Sequence, residues 1–98
     1  MKANFNTLIN SEKPVLVDFY ADWCNPCKVF APVLKEVKDL VGDHVQIVKV
    51  NVDKNRPLSA RYDVRGVPTL ILFKRGKLLW RHSGILQKND LLTRILNA

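Results

Sequence analysis

The amino-acid sequence predicts an α/β fold with a central mixed four-stranded sheet flanked by helices on both faces. Three features lead to this prediction: a buried strand followed by a long amphipathic helix, a second strand rich in β-branched residues, and a closing pair of strands joined by a tight turn. With 98 residues, the chain is long enough for one compact domain, taken as 1–98, and too short for two.

The first half of the chain predicts a short helix, a strand and a long helix. Phe5, Leu8 and Ile9 recur at helical spacing and predict the short helix. The nearly continuous apolar run 15–20 predicts a buried parallel strand. Apolar residues at intervals of three and four then predict an amphipathic helix that ends at Gly42. These residues are Val29, Phe30, Val33, Leu34, Val37, Leu40 and Val41.

The second half predicts a strand, a short helix, a hairpin and a final helix. Residues 45–52 are rich in β-branched side chains and predict a strand, and 57–62 fit a short helix. Residues 69–73 and 78–80 predict two antiparallel strands joined by a turn that contains Gly76. The last helix is predicted from Leu86, Leu91, Leu92, Ile95 and Leu96. Because a long helix connects the first two strands, those strands should be parallel, with a right-handed crossover.

Charge is unevenly distributed along the chain, whose formal net charge is +7. Residues 1–43 hold five Lys and six acidic residues, whereas residues 44–98 hold eleven Lys or Arg and three Asp. A basic half of this kind favours acidic partners or nucleic acid. No nucleic-acid motif accompanies it, so we predict a solvated basic surface and no nucleic-acid partner.

The N-terminal stretch 1–5 shows neither the apolar run nor the small-residue cleavage site of a secretory signal. No segment approaches the roughly 20 apolar residues of a membrane span. The sequence therefore predicts a monomer in the cytoplasm with no membrane partner. Thiols are kept reduced there, and cysteine pairs are more often catalytic or metal-binding than structural.

The two cysteines, Cys24 and Cys27, lie between the first predicted strand and the long helix. A disulfide over so short a loop constrains little of the unfolded chain, so stability is not its purpose. Backbone N–H groups and the dipole at a helix N-terminus stabilise a thiolate, and Pro26 suits the first helical turn. We expect Cys24 to be the exposed nucleophile and Cys27, one turn further, to be the sheltered resolving thiol.

Three other interpretations of this cysteine pair remain open. Half of a zinc site would need further ligands, and His44 and His82 are the only histidines, so no metal site is predicted. The other two are a pair of structural core thiols and a redox pair that is incidental in an interaction module. A C-x-x-C motif that follows a buried strand favours redox chemistry.

The segment Val17-Asp18-Phe19-Tyr20-Ala21-Asp22-Trp23-Cys24-Asn25-Pro26-Cys27-Lys28 resembles the active-site segment of the thioredoxin family. Two further segments and Gly84 resemble the thioredoxin pattern at the corresponding positions of the chain. The two segments are Val50-Asn51-Val52-Asp53 and Val64-Arg65-Gly66-Val67-Pro68-Thr69. The resemblance covers nearly the whole chain, about residues 5–96.

This resemblance implies a thioredoxin fold and a thiol–disulfide oxidoreductase that reduces disulfide-containing protein substrates. It implies no bound cofactor other than the redox-active disulfide Cys24–Cys27. The chain has no nucleotide-phosphate loop and no flavin motif, so a separate, NADPH-linked thioredoxin reductase is the expected electron donor. The alternatives are a thioredoxin-like interaction module and, in an exported protein, a disulfide isomerase or oxidase.

The sequence departs from the family pattern at two places. Thioredoxins usually have Gly where this chain has Asn25, and the Asn25-Pro26 dipeptide is expected to tune the redox potential. The N-terminus is also short, so the edge strand that usually opens the fold is expected to be absent, which leaves four strands instead of five.

The resemblance also implies a substrate-binding surface around the cysteines. It places a cis peptide bond before Pro68, with backbone groups of Val67 offered to a substrate strand. We expect Trp23, beside the helix-tip cysteine, to be an exposed contact residue. The predicted surface consists of Trp23, Gly66, Val67, Pro68, Gly84 and Ile85.

Asp18 lies in the middle of the strand 15–20, where an unpaired carboxylate is costly. We expect it to be buried behind Cys27 with its pKa raised by desolvation, so that it accepts the proton of Cys27 during resolution. Exposure to solvent at the strand end is the alternative. The family match places Lys49 near Asp18, and we expect the two to pair, with Lys49 moderating the pKa of Asp18.

Overall fold

The computed structural model describes residues 4–98, and its helices and strands follow the predicted order. The helices are α1 (Phe5–Ile9), α2 (Asn25–Val41), α3 (Arg56–Arg61) and α4 (Lys88–Leu96), and the strands are β1 (Val15–Tyr20), β2 (Gln46–Asn51), β3 (Thr69–Lys74) and β4 (Lys77–Ser83). A 3-10 turn over Gly42–His44, which the sequence did not predict, joins α2 to β2. The prediction about an N-terminal signal rests partly on residues 1–3, which lie outside the described residues.

The four strands form one mixed sheet, as predicted, and the structure gives its strand order as β2-β1-β3-β4. β1 pairs with β2 in parallel and with β3 antiparallel, and β3 pairs with β4 antiparallel. Tyr20 and Asn51, the last residues of β1 and β2, are partners in the parallel register. The turns that follow these two strands therefore meet at the same edge of the sheet.

Each face of the sheet packs against a pair of helices, because alternate residues of a strand point to opposite faces. In β1, Leu16 belongs to the cluster under α2 and α4, whereas Val17 belongs to the cluster under α1 and α3. The first cluster includes Phe30, Leu34, Val37, Val41, Leu70, Leu72, Leu91 and Ile95. The second includes Ile9, Val15, Phe19, Val50, Ile71 and Phe73. No helix in residues 4–98 has both the length and the apolar composition to cross a bilayer.

Two predicted details are wrong. Val29 and Leu40 do not belong to the buried stripe of α2 and are 66% and 64% exposed, because residues 30, 34, 37 and 41 already complete the core-facing side of the helix. β4 extends to Ser83, beyond the predicted 78–80. Its last residues are polar, yet their backbones pair with β3, and an edge strand with one wet face needs no apolar alternation.

Candidate functional site

Cys24 is the N-cap residue of α2. Its Sγ atom accepts a hydrogen bond from the backbone N–H of Cys27, with an N···S distance of 3.1 Å. Cys24 and Cys27 form a disulfide, as the resemblance implied. Asn25 and Pro26, between them, open the helix and are exposed. The backbone N–H of Cys27, in the first turn of α2, is thus directed at the sulfur of Cys24.

The loop before β3 lies against this sulfur. The carbonyl oxygen of Val67 is 3.7 Å from the Sγ of Cys24, and the Val67–Pro68 peptide bond is cis, as expected. The backbone N–H of Gly84 donates to the carbonyl of Pro68 at 2.8 Å, and the hydroxyl of Thr69 donates to the carbonyl of Gly66 at 2.6 Å. Two segments distant in sequence are thus fastened together beside Cys24.

The burial of the two cysteines is the reverse of the prediction. Cys24 is only 3% exposed, whereas Cys27 is half-buried. The Val67–Pro68 segment lies against the sulfur of Cys24, while Cys27 borders a cavity on the other side. In this disulfide form, the feature that distinguishes Cys24 is hydrogen bonding: only its sulfur accepts a backbone N–H, which would stabilise a thiolate there.

The predicted substrate-binding surface is exposed only in part. Trp23 is 67% exposed and Ile85 is 47% exposed. Gly66 is exposed as well, whereas Val67 and Gly84 are half-buried. Pro68 is buried, contrary to its predicted place on an exposed surface. It leads directly into the buried strand β3, and its carbonyl accepts the hydrogen bond from the N–H of Gly84.

Sequence reasoning assigned no role to Asp53 and Asn51, which anchor this surface. The indole N–H of Trp23 donates to Oδ2 of Asp53 at 2.9 Å. Asn51 is buried; its Oδ1 accepts the backbone N–H groups of Asp53 and Lys54 at 2.9 and 3.3 Å, and its Nδ2 donates to Oδ2 of Asp22 at 3.3 Å. The available signal was their position, with Asn51 the last residue of β2 and Asp53 two residues further on, because the carboxyl ends of parallel strands lie at the same edge of a sheet.

Asp18 is buried, as predicted, with 4% of its surface exposed. Its Oδ1 atom has no hydrogen-bond partner among the described residues. Burial raises the pKa of Asp18 from 3.8 to about 6, and the positive charge of Lys49 opposes this rise. A carboxyl group with this pKa exchanges a proton near neutrality.

The prediction that Lys49 forms a direct ion pair with Asp18 is wrong. The two residues are register partners on β1 and β2, but no ion pair joins them within 4 Å. Lys49 is exposed, and its Nζ atom lies 5.8 Å from the centroid of the Tyr20 ring. An ammonium group in this position keeps its hydration, which a buried ion pair would remove.

A cavity of about 190 Å³ connects Asp18 with Cys27. Its other lining residues are Tyr20, Ala21, Asp22, Lys28, Ala31 and Lys49. The cavity is polar enough and large enough to hold water. Asp18 and Cys27 therefore border the same space, which a water molecule can occupy. Within residues 4–98, no cluster of three or more His, Cys, Asp or Glu side chains has the geometry of a metal site.

Replacing Asn25 with glycine is expected to shift the redox potential of the Cys24–Cys27 pair by about 10–20 mV while the fold is retained. Glycine costs the interior of a helix about 0.5–1 kcal/mol relative to alanine, and a change of up to that size in one redox form corresponds to a shift of this order. Equilibration in graded dithiothreitol buffers measures the potential. Asn89→Gly, in the first turn of α4, is the control and should leave it unchanged. An unaltered potential in Asn25→Gly would show that this dipeptide does not set it.

The sequence of the whole chain matches one protein family and several of its known members. The family model described as "Thioredoxin" matches residues 1–97. The chain is 44% identical to "Thioredoxin Y, chloroplastic" of Oryza sativa subsp. japonica over 98% of this chain and 58% of that protein. It is 48% identical to "Thioredoxin" of Acidithiobacillus ferridurans over 86% of this chain and 78% of that protein.

Solved structures agree with this match. The oxidised form of mitochondrial thioredoxin 3 from Saccharomyces cerevisiae superposes with a TM-score of 0.86 at 32% identity, covering 96% of this chain and 87% of that one. The chain spans less than two thirds of two chloroplastic relatives that it matches, 58% of the rice protein and 60% of thioredoxin Y2 of Arabidopsis thaliana.

Proposed function

The chain belongs to the thioredoxin family of thiol–disulfide oxidoreductases, and we propose that it reduces protein disulfides, with Cys24 as nucleophile and Cys27 as resolving thiol. The observation that carries the proposal is the hydrogen bond from the N–H of Cys27 to the Sγ of Cys24 at the start of α2. A donor held in this position favours the thiolate form of Cys24, which is the form that attacks disulfides.

The proposed reaction has two exchange steps. The Cys24 thiolate attacks one sulfur of the substrate disulfide, forms a mixed disulfide and releases the other substrate sulfur as a thiolate. Cys27 then loses its proton and attacks the Sγ of Cys24, which closes the Cys24–Cys27 disulfide and releases the second substrate thiol. Two electrons pass to the substrate in total, and an external reductant must return them to the protein.

Asp18 is the proposed acceptor of the proton that Cys27 loses in the second step. It lines the same cavity as Cys27, and burial holds its pKa at about 6. A carboxylate with a pKa close to neutrality is both deprotonated enough to accept a proton and basic enough to hold it. Lys49 has a moderating role, since its charge favours the ionised form of Asp18.

The substrate is proposed to dock on the surface around Cys24. Trp23 and Ile85 supply exposed apolar contacts, and Gly66 leaves its backbone accessible. Asp53 and Asn51 hold Trp23 and its neighbours in place through hydrogen bonds. Apolar, flat surfaces with a fixed aromatic residue are typical contact sites for protein partners.

Replacing Cys27 with serine is expected to trap a disulfide substrate as a mixed disulfide on Cys24, because no thiol remains to resolve it. Mixing the reduced variant with insulin and separating the products on a non-reducing gel should show an adduct that dithiothreitol releases. The double variant Cys24→Ser/Cys27→Ser is the control and should give none. Failure to form the adduct would favour the interaction-module alternative.

The proposed electron donor is a separate NADPH-linked reductase, and the proposed setting is the cytoplasm, where thiols are kept reduced. A redox titration of the Cys24–Cys27 pair separates a reductase from an isomerase or oxidase. We expect a redox potential more negative than that of protein disulfide isomerase, which is about −180 mV. A potential at or above that value would contradict the reductase assignment.

A further inference from the structure

The segment that covers Cys24 starts at the turn that ends α3. In this turn the N–H of Val64 donates to the carbonyl of Ser59 at 2.9 Å, and the N–H of Asp63 donates to the carbonyl of Ala60 at 3.0 Å, which is the Schellman pattern of a helix C-terminus. Asp63 takes the position that glycine usually occupies, with φ at 54°. A residue with a side chain is disfavoured in this left-handed region and depends on its surroundings to stay there.

Arg81 supports this turn from β4. Its Nη1 atom donates to the carbonyl of Tyr62 at 2.7 Å, and its Nη2 atom donates to the carbonyl of Asp63 at 3.4 Å. The planar guanidinium group presents several donors in a fixed geometry, so one side chain holds the first two carbonyls after α3. These contacts give a structural reason for a charged residue in the part of β4 that the apolar pattern did not predict.

The end of β4 also holds the other end of the covering segment. The N–H of Gly84 donates to the carbonyl of Pro68 at 2.8 Å. Residues 62–68 are therefore tied to β4 at both ends. Val67 lies between the two ties, and its carbonyl oxygen is 3.7 Å from the Sγ of Cys24.

We propose that Arg81 is a positioning residue for disulfide reduction, which holds the 62–68 segment in the place where a protein substrate docks beside Cys24. The inference rests on the proposed function. A docking surface that is ordered before binding loses less conformational entropy when the substrate arrives. Arg81 should leave the reactivity of Cys24 itself unaltered, because the N–H that stabilises its thiolate belongs to Cys27 in α2.

The position of Arg81 limits the size of this effect. Its side chain is exposed, so water competes for the same donors. The nearby ion pair between Arg65 and Asp63 contributes less, since both side chains are largely exposed and the pair holds no backbone group. We therefore expect the loss of Arg81 to weaken substrate docking about fivefold, the equivalent of one net hydrogen bond.

The first test compares a protein substrate with a small disulfide in the variant Arg81→Met, which removes the donors and keeps an apolar stem. The apparent KM for insulin should rise about fivefold while kcat is retained. The rate of reduction of 5,5′-dithiobis(2-nitrobenzoate), which needs no docking strand, should stay the same. Arg94→Met removes the same charge from an exposed site on α4 and is the control. Equal losses with both substrates, or the same rise in KM for Arg94→Met, would overturn the proposal.

The second test measures amide hydrogen exchange by NMR in the oxidised protein, where no catalytic step takes part. In Arg81→Met, the N–H groups of Asp63 and Val64 should exchange about fivefold faster than in the unaltered protein. The N–H of Leu91, which is bonded to the carbonyl of Gln87 in α4, should not change. Unchanged exchange at Val64 would refute the positioning role alone. Failure of the unaltered protein to reduce either substrate would refute the proposed function as well.

Arg81→Lys is the second variant, because a lysine ammonium group can also hold two carbonyls. Lys38 does so in this protein, where its Nζ atom donates to the carbonyls of Gly42 and Val45 at 2.7 Å. We expect this variant to recover part of the KM for insulin and part of the protection at Val64. Exchange at Val64 as fast as in Arg81→Met, together with an unaltered KM, would contradict the proposal.

Discussion

Replacing Cys24 with serine is expected to lower the rate of disulfide reduction by on the order of 10³-fold or more, because a serine hydroxyl is not ionised near neutral pH and cannot attack a disulfide as a thiolate does. The N–H of Cys27 is directed at the side chain of residue 24, so in the variant it faces a neutral hydroxyl and has no thiolate to stabilise. Insulin reduction with dithiothreitol as the electron source measures the loss. Cys27→Ser is the matched variant, since it should retain the first attack and lose only turnover.

The assignment of Cys24 as nucleophile needs a separate check, because Cys24 is the more buried cysteine in the disulfide form. Limited alkylation of the reduced protein with iodoacetamide, followed by peptide mass analysis, shows which thiol reacts first. We expect Cys24, since its thiolate is the stabilised one. Faster labelling of Cys27 would show that the two roles are exchanged.

Replacing Asp18 with asparagine is expected to stabilise the oxidised protein by up to about 3 kcal/mol at pH 7–8. The pKa of Asp18 is about 6 in the folded protein, compared with 3.8 for an aspartate side chain in water, and each pKa unit corresponds to about 1.4 kcal/mol. At pH values between 3.8 and 6, Asp18 is protonated in a larger fraction of folded molecules than of unfolded molecules. The free energy of unfolding of the unaltered protein therefore falls as the pH rises from about 4 to 6.

The variant has no such titration, so its advantage should vanish below about pH 4, where the carboxyl group is neutral in both states. Urea unfolding at several pH values between 3 and 8 measures this difference. Asp39→Asn, which removes an exposed carboxylate on α2, is the control and should not reproduce it. A stability difference that is independent of pH would contradict the raised pKa.

The same Asp18→Asn variant is expected to slow resolution of the mixed disulfide by about 10²-fold, within the range typical of general base catalysis, while the first attack by Cys24 stays near normal. Single-turnover kinetics across pH separate the two steps. Resolution in the unaltered protein should accelerate with an apparent pKa near that of Asp18, and the variant should lose this dependence. Unchanged resolution together with unchanged stability would refute both the proton-transfer role and the cost of burying this carboxylate.

The sequence by itself determined the order of the helices and strands and the place of the cysteine pair. Periodicities of 2 and 3.6 residues are local properties, so the run 15–20 and the stripe of α2 could be recognised without any knowledge of distant contacts. The position of Cys24 at the start of α2 follows from the same local logic. The resemblance to the thioredoxin family added the expectations for Pro68 and Lys49, of which the cis bond is confirmed and the close pairing is wrong.

Only the tertiary structure decided which residues cover Cys24 and which residue fixes the side chain of Trp23. The cover over Cys24 comes from Val67, 43 positions away, and the anchor of Trp23 comes from Asp53, 30 positions away. Such contacts depend on strand register and on the directions of side chains at sheet edges, which no local pattern encodes. The same reason explains the exposure of Lys49, because β2 is an outer strand of the described sheet and leaves this ammonium group free to stay in water.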